Sequence, residues 1–261
     1  MACALPLAWS AEPVTAHVLE GTEHGFLSLS TQDGRVVATG DDIQIADGDK
    51  ITSHLVFHFK DGSVDDETTV FTQHEEFKLI SEHHVQKGPF FPHPMDLAID
   101  VASGEVTVKT TQKDGKEFDD TEHMDMPADL ANGLVNAIVK NLKPERAETK
   151  ISMIVPTPKP RLVALAISPR GEESFLLAGA RRKALAYEIK IELGGVAGVV
   201  AQFVGRQPPN VHLWILGGEL PTFLREEGQS FEDGPILVMS LVSPTWPHAA
   251  RPSAKPNPAK H

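Results

Sequence analysis

Residues 50–62 read KITSHLVFHFKDG, and this stretch decides the fold class. Ile51, Ser53, Leu55, Phe57 and Phe59 fall on one face, while Thr52, His54, Val56, His58 and Lys60 fall on the other. A period of two with apolar residues on one side is the pattern of a half-buried β-strand. Asp61-Gly62 then supplies a pair suited to the positive φ angles of a tight hairpin turn. The same pair recurs at Asp33-Gly34, Asp47-Gly48 and Asp114-Gly115, so the N-terminal half reads as an antiparallel meander.

Working outward, residues 67–86 are rich in Thr, Val, Phe and Ile and predict a bent strand or two strands, with a bulge where the alternation slips at Glu75-Glu76. Gly88-Pro89-Phe90-Phe91-Pro92-His93-Pro94 forms a corner, and Val106, Val108 and Thr110 face Phe118, Asp120 and Glu122 across Asp114-Gly115. The pattern resumes where Tyr187, Ile189, Ile191 and Leu193 alternate with Ala186, Glu188, Lys190 and Glu192. Residues 199–204, 211–216, 222–225 and 235–242 read as further strands.

Between these halves lies one helical pattern. Leu130, Leu134, Ile138 and Leu142 recur every four residues, after Asp125 as N-cap and Pro127 in the first turn, and before Pro144. The spacing predicts a helix over 127–142. Gly133 costs it about 1 kcal/mol relative to Ala, which points to a close neighbour or a tolerated loss. The expected fold is therefore mainly β: a large curved antiparallel sheet, a half-barrel or open barrel, with one central amphipathic helix. Residues 12–247 read as one domain, with residues 156–160 as the alternative linker between two, and 248–261 as a disordered tail.

The 261 residues are 41% hydrophobic and 23% charged, enough to bury a core. A formal net charge of −12, against which no long Lys or Arg run stands out, argues against nucleic acid as a partner. No segment has the ~18 consecutive apolar residues of a membrane helix. Residues 1–11 are uncharged, apolar in part and end in Trp-Ser-Ala, which reads as a signal-peptide remnant, with an N-terminal arm packed on the domain as the alternative. A periplasmic or secreted location follows, and Cys3, the one cysteine, would leave with the leader.

The turn Phe59-Lys60-Asp61-Gly62-Ser63, the strand Glu67-Thr68-Thr69-Val70-Phe71, the corner Gln86-Lys87-Gly88-Pro89 and the helix start Met126-Pro127-Ala128-Asp129-Leu130 carry a resemblance spanning residues 24–246. In these the chain resembles a group of uncharacterised exported bacterial proteins and, more distantly, the lipoprotein-localisation-factor-like fold, a curved antiparallel sheet around helices. That resemblance implies an apolar or lipid-like ligand on the concave side. Leu130, Leu134, Ile138 and Leu142 would be its apolar wall. The single helix departs from carriers that have several.

Chemistry is sparse. The histidines suggest a metal, above all His83-His84 with Glu82, and His74 and His93. Adjacent His83 and His84 point to opposite faces of a strand, so one at most joins a site. His54 and His58 would stand roughly 13 Å apart on a strand, too far to share an ion. Solvated or hydrogen-bonded imidazoles are the commoner case. No G-x-S-x-G elbow surrounds Ser174 or Ser230. Asp65, Asp66, Glu67, Glu75 and Glu76 could pair for acid/base work, but acidic clusters on an acidic protein usually form a solvated face. Residues 194–198, GGVAG, lack the context of a phosphate loop, and no cofactor is expected. Arg181, Arg182 and Lys183 form the one basic cluster, an anionic-headgroup site or a charged strand edge.

Three functional readings follow, ordered by support. The first is a non-enzymatic envelope protein holding an apolar ligand between sheet and helix. The second is an interaction module with a solid core and a protein partner that the sequence does not identify. The third is a metal-dependent hydrolase using some of the histidines. A cavity of ~300–1,000 Å³ separates the first from the second.

Overall fold

The computed structural model describes residues 13–111, 114–177, 179–192 and 207–242. Asp33-Gly34 turns β1 (Glu23–Thr31) into β2 (Val36–Asp47), Asp47-Gly48 turns β2 into β3 (Lys50–Phe59), and Asp61-Gly62 turns β3 into β4 (Val64–Thr72). These glycines adopt φ of 86°, 59° and 89°, as tight hairpins require. The run at 67–86 resolves into β4 and β5 (Lys78–Lys87). The slip expected at Glu75-Glu76 is a hairpin turn, with Glu75 at φ 60°, and the bulge lies earlier, between Val70 and Phe71. The Pro-rich corner leads to β6 (Met95–Asp100), then β7 (Glu105–Thr111) and β8 (Glu117–His123).

Past the helical segment come β9 (Thr149–Val155), β10 (Arg161–Leu177), β11 (Ala180–Glu192), β12 (Val211–Leu216), β13 (Thr222–Gln229) and β14 (Ile236–Val242). Residues 156–160 join β9 to β10, which pair directly from Arg161↔Val155. The expected strand at 199–204, the glycine stretch at 194–198, residues 1–11 and the tail at 248–261 lie outside the described residues.

The fourteen strands among the described residues form one antiparallel sheet, in the order β8-β7-β6-β5-β4-β3-β2-β1-β14-β13-β12-β11-β10-β9. Two meanders are thus joined where β1 pairs with β14, with Leu27 opposite Leu241 and Leu29 opposite Met239. The free edges are β8 and β9, which do not pair with each other, so the curved sheet stays open. The segment between those edges carries the one helix among the described residues, the short α1 (Val135–Lys140).

The helix is shorter than its apolar period predicts. Ala131 donates its N–H to Ser152 O on β9, and Ser152 donates back to Asp129 O. Backbone groups that pair with a sheet edge cannot make i→i−4 helical bonds. Gly133 at φ 66° then breaks the helical path outright. The helix begins after Leu134 with no side-chain cap, and Asp125 caps nothing.

The apolar stripe survives this change of backbone. Leu130, Leu134 and Ile138 are buried in one cluster with Ile51, Phe71, Leu97 and Val106 from one meander and Ile151, Ile167 and Tyr187 from the other, with Leu142 packed at its margin. Each fully buried Leu or Ile adds about 1.5–3 kcal/mol of transfer free energy. A second cluster, including Leu27, Leu29, Phe57, Phe59, Phe91 and Leu237, occupies another part of the interior, where Phe90 and Phe231 meet Phe91 edge to face.

Candidate functional site

Between the two apolar clusters the inward-facing residues turn polar. On β3 the inward series runs Ile51, Ser53, Leu55, Phe57, and on β4 it runs Asp65, Glu67, Thr69, Phe71. The facing residues of β5 are Gln86, His84 and Glu82, set opposite Asp65, Glu67 and Thr69. Directly opposed residues hold their Cβ atoms about 4.5–5.5 Å apart, so the pairing alone gathers these groups.

Their geometry is specific. His84 Nε2 lies 2.6 Å from Asp65 Oδ1, and Gln86 Nε2 donates to Asp65 Oδ2 at 3.1 Å and to Ser230 O at 2.9 Å. Ligating atoms of Glu67, Glu82 and His84 all lie within 4.8 Å of one another. Burial would lower the His84 pKa, but the Asp65 hydrogen bond and the charges of Glu67, Asp65 and Glu82 outweigh it and raise it to about 9. Glu82 is pushed well above the usual carboxylate range by burial and then by Glu67.

A pocket of about 450 Å³ opens beside this cluster. Its helical side is Gly133, Val135, Asn136, Ala137 and Lys140; its apolar lining includes Leu27, Leu55, Phe71, Phe223, Met239 and Leu241. Five carboxylates also line it: Glu20, Glu23, Asp42, Glu67 and Glu226. Glu226, on β13, reaches the pocket from the far meander, and burial followed by the charge of Glu67 raises its pKa to about 7. Asp42 is raised by burial against a hydrogen bond from Ser53. A smaller cavity of about 150 Å³ adjoins, sharing Leu55, Glu67, Glu226 and Met239 as its lining.

The residues singled out by sequence are distributed differently. Leu130, Leu134, Ile138 and Leu142 do not line the pocket: they face the core, and α1 turns its other side to the cavity. Of the four metal candidates only His84 joins the cluster. His83 points outward to Asp96 at 3.0 Å, His93 Nδ1 lies 3.0 Å from Thr111 O, and His74 is exposed beside the β4–β5 turn. Arg181, Arg182 and Lys183 are exposed on β11, opposite Leu176, Phe175 and Ser174 of β10, and Lys183 pairs with Glu172 at 2.6 Å. Asp65 and Glu67, read as a solvated face, point inward instead, while Asp66 faces out to His54. The spacings Asp65-x-Glu67 and Glu82-x-His84-x-Gln86 held the signal, since residues two apart share a strand face. Nothing local marks Glu226.

Fold and site define a mainly β protein, one open, curved antiparallel sheet with an acid-lined pocket. No family model matches the chain, and no curated protein matches it. Among solved structures it is similar to a β-barrel-like protein of a domain of unknown function, DUF1849, from Brucella abortus, at 10% identity and a TM-score of 0.45, covering 86% of this chain and 97% of that one. Among the described residues no helix is long and apolar enough to cross a membrane.

Proposed function

We propose that this chain is a non-enzymatic binding protein of the cell envelope, and that its pocket takes a small amphiphile with a cationic head. One observation carries the reading: the 450 Å³ pocket combines apolar walls with five carboxylates. The two residues lining it that can carry positive charge are already engaged, Lys140 with Glu20 at 2.7 Å and His24 with Asp41 at 2.6 Å. Glu20 is paired with Lys140, but Asp42 and Glu226 are part-buried carboxyls whose pKa values desolvation raises, and a ligand ammonium beside them would supply the counter-charge that their ionised forms need. An apolar tail would lie along Leu27, Leu55 and Phe223. A fatty-acid carboxylate would add like charge to an acidic wall, so the apolar cargo implied by the resemblance is narrowed to a cationic amphiphile. The envelope location rests on the apolar run at residues 4–9 and the Trp-Ser-Ala at residues 9–11, read as a signal-peptide remnant. The volume falls in the ~300–1,000 Å³ range of ligand sites, which favours a binder over a solid scaffold.

Titration of chelator-treated protein with dodecylammonium and with dodecanoate, followed by native mass spectrometry, tests this. Dodecylammonium should bind one per chain and weaken about tenfold in Glu226→Gln, while dodecanoate should not bind. Equal binding of both, or of neither, removes the reading.

A further inference from the structure

We propose that Glu67, Glu82 and His84 form a binding site for one divalent transition-metal ion of the zinc or manganese class. The proposal does not rest on the amphiphile, although Glu67 belongs to both sites. Glu67 and His84 face each other directly across β4 and β5, with Glu82 two residues from His84 on the same face. Their ligating atoms lie within 4.8 Å of one another. A tetrahedral ion with bonds of about 2.0–2.1 Å sets its ligands roughly 3.4 Å apart, so side-chain adjustment alone closes the site.

Two further observations distinguish this cluster from an ordinary acidic patch. Glu82 is only 5% exposed, yet its Oε2 has no hydrogen-bond partner among the described residues. A buried carboxylate oxygen without a donor is expensive, and a cation would satisfy it. Second, Asp65 Oδ1 holds His84 Nε2 at 2.6 Å, while Asp65 Oδ2 accepts from Gln86 Nε2 at 3.1 Å. That is the carboxylate–histidine support that orients a ligating imidazole, here leaving Nδ1 for the ion. One nitrogen and two oxygen donors without thiolate suit zinc, manganese or iron(II) better than copper(I), and the imidazole disfavours calcium and magnesium. Glu67 lines both cavities and His84 the smaller, which provides access. Three protein ligands also leave a coordination position for water or a ligand group.

The full chain, stripped with chelator and dialysed, is titrated with Zn²⁺ and Mn²⁺ by calorimetry and with Co²⁺ by visible absorption. One ion per chain should bind. Glu82→Gln and His84→Ala should each weaken it at least about 100-fold, and Asp65→Asn about 10–100-fold, while outward-facing His83→Ala should change nothing. Wild-type protein with 15N-labelled imidazoles keeps the test decisive if a variant fails to fold: Zn²⁺ should shift the His84 ring signals and leave those of His83. Absence of stoichiometric uptake, uptake that survives both ligand substitutions, or shifts at histidines other than His84 would overturn the proposal. None of these readouts uses an amphiphile, so this site can fail while the pocket reading stands.

Discussion

Gly133 packs its bare Cα against Thr69: a Cβ at that position would lie 2.0 Å from Thr69 Oγ1 and 2.9 Å from Glu67 Oε1. The contact locks the segment entering α1 onto the strand that carries the acidic cluster. Its positive φ of 66° adds a second demand for glycine.

Gly133→Ala should therefore cost far more than a helix-propensity change. A left-handed alanine costs about 1–2 kcal/mol and overpacking about 1–3 kcal/mol more, giving a loss of roughly 2–5 kcal/mol in urea unfolding. Thr69→Ala in the same chain should recover the overpacking part. A loss of only about 1–2 kcal/mol would show that the neighbours give way freely, and one below about 1 kcal/mol would show that the segment relaxes its positive φ as well.

Glu226 predicts a pH dependence of stability. Its folded pKa of about 7 stands above the ordinary 4.5, so between those values the folded state keeps a proton that the unfolded state has lost. Stability should fall as pH rises through this window and level off above 7, by an amount on the order of 3 kcal/mol at most. Glu226→Gln should flatten the profile, raising the melting temperature at pH 8 more than at pH 4.5. Parallel profiles for wild type and variant would exclude Glu226 as the source.

Asn141 ends α1 and docks the segment before β1. Its Oδ1 accepts the N–H groups of His17 and Val18 at 2.7 and 2.6 Å, and its Nδ2 donates to Val18 O and Ala137 O. Asn141→Ala leaves two backbone donors without that acceptor, a loss of about 1–3 kcal/mol. Hydrogen exchange should quicken at residues 16–20 before it changes in the strands. Exchange unchanged at His17 and Val18 would mean other contacts hold the segment.

The meander was legible because each Asp-Gly turn and each two-residue alternation is a local signal, set by backbone sterics and by which face is buried. Leu130, Leu134 and Ile138 were legible as core for the same reason, although the backbone carrying them was not. Whether residues 127–134 coil into helix depends on β9, 20 residues away, whose edge takes their hydrogen bonds.

What the sequence by itself determined is therefore the strand class, the turns and the apolar stripe, all of which arise from interactions between near neighbours. Tertiary structure alone decided that β1 pairs with β14, that the stripe fills the core while the other side of α1 lines a pocket, and that Glu226 meets Glu67 there. The physical reason is sheet curvature and strand order: they bring together inward faces more than 150 residues apart in sequence, and no local pattern of carboxylates records which distant strand they will meet.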